Sequence, residues 1–195
     1  MKARKTAEKA AVKLRTSRVL VLVDESNVIS SAWAAKRSME WMKLRDFFCD
    51  ETRGRELIEM VVYVGLPPAM PVWQTEREKK NKFVHWLRAN GFLVVTKDGS
   101  PGEEGHYKSN VDVMMAIDAM ELSAAMKPDV VILVTGDADF AYLALQLRRS
   151  GIRVEVASVA ANLGSALKSS GNEVIDLAPL LATLLTPAQL TAGAS

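Results

Sequence analysis

The stretch Val19-Leu20-Val21-Leu22-Val23-Asp24-Glu25-Ser26-Asn27 decides the fold. Five branched apolar residues run without a polar break and end on an aspartate. A short run that is apolar on both alternations fits a parallel strand covered by helices on both faces. Val130-Val131-Ile132-Leu133-Val134 repeats the pattern, and 60–64, 92–95, 152–156 and 174–175 are weaker copies. Helical patterns lie between them, over 39–51, over 72–90 with Gly91 as a stop, over 111–126 ending before Pro128, and over 140–150 stopped by Gly151. Strands alternating with helices imply an α/β fold: three layers, α/β/α, around a mostly parallel central sheet with right-handed crossovers.

Length and composition agree with one such unit. The 195 residues are 49% hydrophobic and 25% charged, which excludes a disordered or collagenous chain. No apolar run approaches 18 residues, so no membrane span is expected, and the basic N-terminus lacks the apolar core of a secretory signal. Cys49 is the only cysteine, which rules out an internal disulfide and suits a reducing, cytoplasmic setting. The net charge of +2 is uneven. Seven of the 25 basic residues and one of the 23 acidic ones lie in 1–18, so that stretch carries +6 and the rest −4. The division expected is a basic arm over 1–17, one domain over 18–185 and a flexible tail over 186–195. The Gly-rich segment 98–106 reads as a mobile loop. A basic arm on an acidic body suggests a phosphate-bearing partner; a solvated leader is the plainer reading.

Acidic residues stand where the strands end. Asp24 follows the first run, and Asp137 and Asp139 follow the 130–134 run in Thr135-Gly136-Asp137-Ala138-Asp139-Phe140. Asp112 opens a helix in Lys108-Ser109-Asn110-Val111-Asp112-Val113. In an open parallel sheet, ligands sit beyond the carboxyl ends of the strands, where the strand order reverses. If the 19–23 and 130–134 strands are neighbours, these carboxylates converge. Their mutual repulsion is relieved by a hard divalent cation, Mg²⁺ or Mn²⁺. Alternatively each aspartate serves only as a turn or helix cap. Asn27 would hydrogen-bond a ligand phosphate or water, or cap the following helix. Ser26 and Thr135 offer hydroxyls at the same edge, and Lys108 a cation for a phosphate. Asp118, six residues past Asp112, points some 240° away around a helix of about 100° per residue and reads as structural.

These motifs resemble the NYN domain family, a branch of the PIN-like nucleases, and its bacterial limkain-like members in particular. The resemblance rests on a strand ending Asp24-x-x-Asn27, on Lys108-x-x-Val111-Asp112-Val113 with Asp118-Ala119 downstream, on the Thr135–Phe140 turn, and on the Tyr63-Val64-Gly65 strand end. It spans about residues 18–178. It implies a PIN-like sheet with the first strand central, an acidic pocket of Asp24, Asp112, Asp137 and Asp139 for Mg²⁺ or Mn²⁺, and Asn27 in support. It also implies ribonuclease activity leaving a 5′-phosphate. Family members often carry an aspartate before the edge strand; here that position is Asn172.

The chemistry expected is metal-assisted hydrolysis of an RNA phosphodiester, with Asp24 and Asp137 on the ion and Asp112 and Asp139 completing the site. Single-stranded RNA is the expected partner, engaged by the arm (Lys2 to Arg18), by the lysines 79, 80 and 82 and by stacking on Trp33 or Trp73, whereas Trp41 and Trp86 read as core. His85 reads as surface, and His106 as a residue in reach of a phosphate. The Trp and Met residues would mark either a homodimer face or the core. The rival reading is a non-catalytic nucleic-acid-binding or regulatory module that keeps the pocket. A haloacid-dehalogenase-like phosphatase needs a second acid where Ser26 stands, and no dinucleotide or Walker-type phosphate loop occurs.

Overall fold

The structure is a computed structural model and describes residues 16–49, 54–102 and 105–192. Most of the basic arm (1–15) and the end of the tail (193–195) lie outside the described residues. The strands are β1 (Ser17–Asp24), β2 (Arg55–Leu66), β3 (Leu93–Asp98), β4 (Ser100–Pro101), β5 (Tyr107–Lys108), β6 (Val130–Val134), β7 (Arg153–Ser158) and β8 (Glu173–Asp176). The helices are α1 (Glu25–Ala34), α2 (Trp41–Phe48), α3 (Gln74–Ala89), α4 (Asp112–Met126), α5 (Ala141–Arg149), α6 (Ser165–Ser170), α7 (Ala178–Thr183) and α8 (Pro187–Ala192). Short 3-10 turns at Pro71–Trp73 and Ala138–Phe140 lead into α3 and α5.

Six strands form one sheet in the order β3-β2-β1-β6-β7-β8, and every pairing is parallel. β1 is therefore central, and the chain builds outward from it first to one side and then to the other. The alternation along β1 explains why its sequence has no polar face. Val19, Val21 and Val23 pack with α1, α2, α3 and α7 through Val28, Trp41, Leu87 and Leu181. Leu20 and Leu22 pack against α4, α5 and α6 through Met115, Leu147 and Leu167. All five β1 residues are fully buried. The three-layer architecture is the one expected.

The helix stops work as their residues dictate. Gly91, after α3, and Gly151, after α5, both take φ of 82°, a conformation that costs glycine nothing. α4 ends on Lys127 in the left-handed region, and Arg18 closes that end by donating to the Met126 and Lys127 carbonyls at 2.6 and 3.0 Å. Arg18 thus belongs to the fold and is not a free cation of the arm. The 98–106 segment is not wholly irregular, since β4 and β5 pair antiparallel across it. Residues 187–192, expected as tail, form α8, whose entry is tied by Thr186 donating its N–H to the Gln189 side chain at 2.8 Å.

Candidate functional site

β1 and β6 are adjacent, so Asp24 and the turn after Val134 emerge side by side at the carboxyl rim, at the point where the strand order reverses. Asp24 is only 5% exposed. It caps α1: its Oδ1 accepts from the Asn27 N–H at 3.3 Å and from the Ser26 hydroxyl at 2.8 Å. The buried Thr135 hydroxyl donates to Asp24 Oδ2 at 3.5 Å and accepts the Asp137 N–H at 3.2 Å. Asp137 in turn caps the Ala138–Phe140 turn, its Oδ1 accepting the Asp139 N–H at 2.9 Å. The capping interpretation therefore holds for Asp24 and Asp137, but the bonds leave each a carboxylate edge still lightly engaged or free.

The same rim gathers the other two acids. Asp112 is the first residue of α4, and its carboxyl is raised above its ordinary value, chiefly by burial and then by the negative charges of Asp24, Asp137 and Asp139. Lys97, at the end of β3, opposes that shift. Among the described residues no ion pair is made by any of the four carboxylates. Among the described residues only Lys97 offsets this negative charge at Asp112. Oxygen donors of this kind suit a hard divalent ion. Among the described residues no three acidic, histidine or cysteine side chains already form a metal cage. Magnesium tolerates such openness, because it commonly keeps several waters and takes one or two carboxylates directly.

Several expected roles change. Asn27 does not cap α1 with its side chain; its Oδ1 accepts the Gly136 N–H at 3.0 Å, tying α1 to the β6 turn. Ser26 and Thr135 face Asp24 and orient it. Lys108 is exposed on β5, and Lys97 is the cation that bears on Asp112. Lys97 was findable from the rule that strand carboxyl ends line the site. Lys80 is not available for a phosphate backbone: its Nζ grips both oxygens of the buried Glu25 at 2.7 and 2.8 Å. That pair neutralises a fifth carboxylate beside Asp24, although burial still leaves Glu25 raised from its ordinary value. Asp118 accepts from the buried Tyr63 hydroxyl at 3.1 Å, as its angular offset from Asp112 suggested. Asn172 lies away from the rim, where its Oδ1 accepts the Val154 N–H near the start of β7, so its replacement of an aspartate costs the acidic site nothing. Trp41 is core, packed on Phe83 and Phe92, but Trp86 is 42% exposed because it lies on the outer side of α3.

Glycine at 136 is dictated by packing. A Cβ there would meet the Asn162 carbonyl oxygen at 2.2 Å, so the turn that carries Asp137 can pass only without a side chain.

The model of the NYN domain family matches residues 18–180. The chain belongs to the NYN domain family. NYN domains are generally nucleases of the PIN-like type, typically act with divalent metals, and their substrate is nucleic acid. A crystal structure of a protein of unknown function from Vibrio parahaemolyticus is similar to this NYN chain, with a TM-score of 0.64 and 26% identity, covering 84% of this chain and 94% of that one. No curated protein matches the chain. No helix among the described residues is long and apolar enough to cross a membrane.

Proposed function

We propose that this NYN protein is a metal-dependent ribonuclease that hydrolyses phosphodiester bonds of single-stranded RNA at the rim formed by Asp24, Asp112, Asp137 and Asp139. The observation that carries the reading is the convergence of carboxylates from two strand ends and a helix start at one rim, without an ion pair among the described residues, where the Asp112 carboxyl is raised chiefly by burial and then by the charges of Asp24, Asp137 and Asp139. Asp24 and Asp137 would hold Mg²⁺ or Mn²⁺, with Asp112 and Asp139 completing the negative site. The ion, when bound, supplies charge neutralisation for the phosphodiester and activation of water.

The chain's own residues do the positioning. Ser26 and the Asn27 N–H hold one oxygen of Asp24, and Thr135 links Asp24 to the Asp137 backbone, so a chain of hydrogen bonds joins the two strand ends. Asn27 locks Gly136 and with it the direction in which Asp137 leaves β6. Lys97 offers a cation beside Asp112 for a substrate phosphate.

One observation favours a second reading, a nucleic-acid-binding or regulatory module without catalysis: the carboxylates do not already form a three-ligand cage among the described residues. Cleavage of single-stranded RNA by the purified protein in Mn²⁺, with Asp137→Asn as control, decides between them. Metal-dependent cleavage lost in the variant supports the ribonuclease. Tight RNA binding without cleavage supports the module.

A further inference from the structure

A groove of about 690 Å³ opens directly beside the acidic rim, between α4 and α5, and Asp112 and Asp139 form part of its wall. That volume lies within the usual range for small-molecule sites, about 300–1,000 Å³. α4 contributes Val113, Ile117 and Met120 at helical spacing, and α5 contributes Tyr142. These side chains face water to an unusual degree: Val113 is 57%, Ile117 52% and Tyr142 68% exposed. Two amides, Asn110 and Gln146, interrupt the apolar lining.

The charge of the groove narrows its occupant. Among the described residues no lysine or arginine lines it, while Glu121 joins the two aspartates in doing so. Away from an ion held at the rim, a phosphate would be repelled there. A neutral, flat group with polar edges would not. The described cations near the rim are Lys97, which donates to the backbone carbonyl of Asn110 at 2.9 Å and bears on Asp112, and Lys108, exposed on β5.

We infer that the α4–α5 groove takes an unpaired nucleobase of the strand whose phosphate lies at the acidic rim, stacked on Tyr142 and held against Ile117, with Asn110 and Gln146 on its polar edge. The inference rests on the nucleic-acid reading above and adds where the base goes. It requires the substrate to be single-stranded at this position, because a paired base cannot leave its stack without cost. Backbone phosphates run on the Lys97 side, and sequence preference arises at the groove.

The test compares binding of a fluorescent ten-nucleotide single-stranded RNA with a fully abasic strand of the same length, by anisotropy in Ca²⁺, alongside cleavage of the RNA in Mn²⁺. The full-length protein and its Ile117→Ser/Tyr142→Ala double variant are used; both positions are exposed, and thermal unfolding checks that the variant folds. The wild type should bind the base-bearing strand roughly tenfold or more tighter than the abasic one, as stacking of one base provides. The double variant should lose that preference. Equal binding of the two strands by the wild type, or no binding at all, overturns the assignment. So does a dimer in solution that the double variant dissolves, since the groove would then be covered by a second copy. Base-dependent binding without metal-dependent cleavage leaves the groove standing and removes only the nuclease reading.

Discussion

The Asn27 side-chain oxygen accepts the backbone N–H of Gly136 at 3.0 Å, across 109 residues of chain. The bond joins the first turn of α1 to the turn that carries Asp137 and Asp139. Replacing Asn27 by alanine leaves a half-buried N–H without its acceptor, which costs about 1–3 kcal/mol. Urea unfolding should show that loss. Mn²⁺ affinity, read from the metal-induced rise in Tm, should fall as well, because Asp137 loses its fixed direction. A variant that loses stability but keeps full Mn²⁺ response would show that the bond serves only the fold.

Gly136→Ala is expected to be worse than its small size suggests. The new methyl must share space with the Asn162 carbonyl oxygen, 2.2 Å away, and that oxygen belongs to backbone. Overpacking of this kind costs about 1–3 kcal/mol, and relief requires the Asp137 turn to shift. Gly151→Ala is the natural comparison: its site is open and its cost is conformational only, about 1 kcal/mol. Denaturant midpoints should separate the two, and only Gly136→Ala should also abolish the Mn²⁺-induced rise in Tm.

The acidic rim sets function against stability. In chelator, Asp112→Asn removes a charge disfavoured by burial and by Asp24, Asp137 and Asp139, so the variant should be slightly more stable, by up to about 0.5 kcal/mol, and unfold at a slightly higher temperature. In Mn²⁺ the order should invert. An ion bound only by the folded protein at about 100 times its dissociation constant adds about 2.7 kcal/mol, and the wild type alone should gain it. Differential scanning fluorimetry with and without metal reads both arms. A wild type indifferent to millimolar Mn²⁺ would remove the metal from the proposed mechanism.

Much of this arrangement was legible from residues close together in the sequence. The β1 and β6 runs identified the two central strands, because only strands buried on both faces tolerate such uniform apolarity. Placing Asp24, Asp137 and Asp139 directly after those runs located the rim. What could not be read were partnerships between distant segments. Lys80 looks like a solvated lysine in a polar helix until Glu25, 55 residues earlier, is found beside it. The bond from Gly136 to Asn27 spans 109 residues and is invisible in the local sequence. α1 was faint because it owes its start to the Asp24 cap and presents few core residues, chiefly Val28 and Ala32. α8 hid because Pro187 begins it, and proline before a polar segment reads as a terminus.

Acid should weaken the fold through Glu155. This residue is fully buried on β7 and accepts from Arg55 at 2.8 Å on each oxygen and from Arg153 at 2.9 Å. Burial alone would raise its carboxyl; the two guanidinium groups outweigh burial and hold it below the ordinary value of 4.5. Its stabilising contribution is therefore complete above the unfolded value and is lost as pH falls through the lower folded value. Unfolding free energy should drop below about pH 4.5 in the wild type. Glu155→Gln should lose on the order of 2 kcal/mol at pH 7 and show a shallower acid limb. An unchanged acid limb would assign the acid sensitivity to other carboxylates.

Tyr63→Phe separates structural acid from site acid on one helix. Tyr63 pairs with Asp24 in the sheet register, is fully buried, and donates its hydroxyl to Asp118 at 3.1 Å. Burial and then the Asp118 charge push the ionisation of that hydroxyl well above the ordinary tyrosine value. Removing it deletes one hydrogen bond to a half-buried carboxylate, a loss of about 1 kcal/mol. Asp118→Asn preserves an acceptor oxygen for Tyr63 and should cost less. Neither change touches the four carboxylates at the rim, so RNA cleavage per folded molecule should stay within about twofold of wild type, whereas Asp112→Asn should lower it about 100-fold or more, beyond what outer-shell partners of a metal usually cost. A large loss of cleavage in Asp118→Asn with stability intact would move Asp118 from the support of β2 into the site and would require α4 to present both acids to one substrate, against its helical geometry.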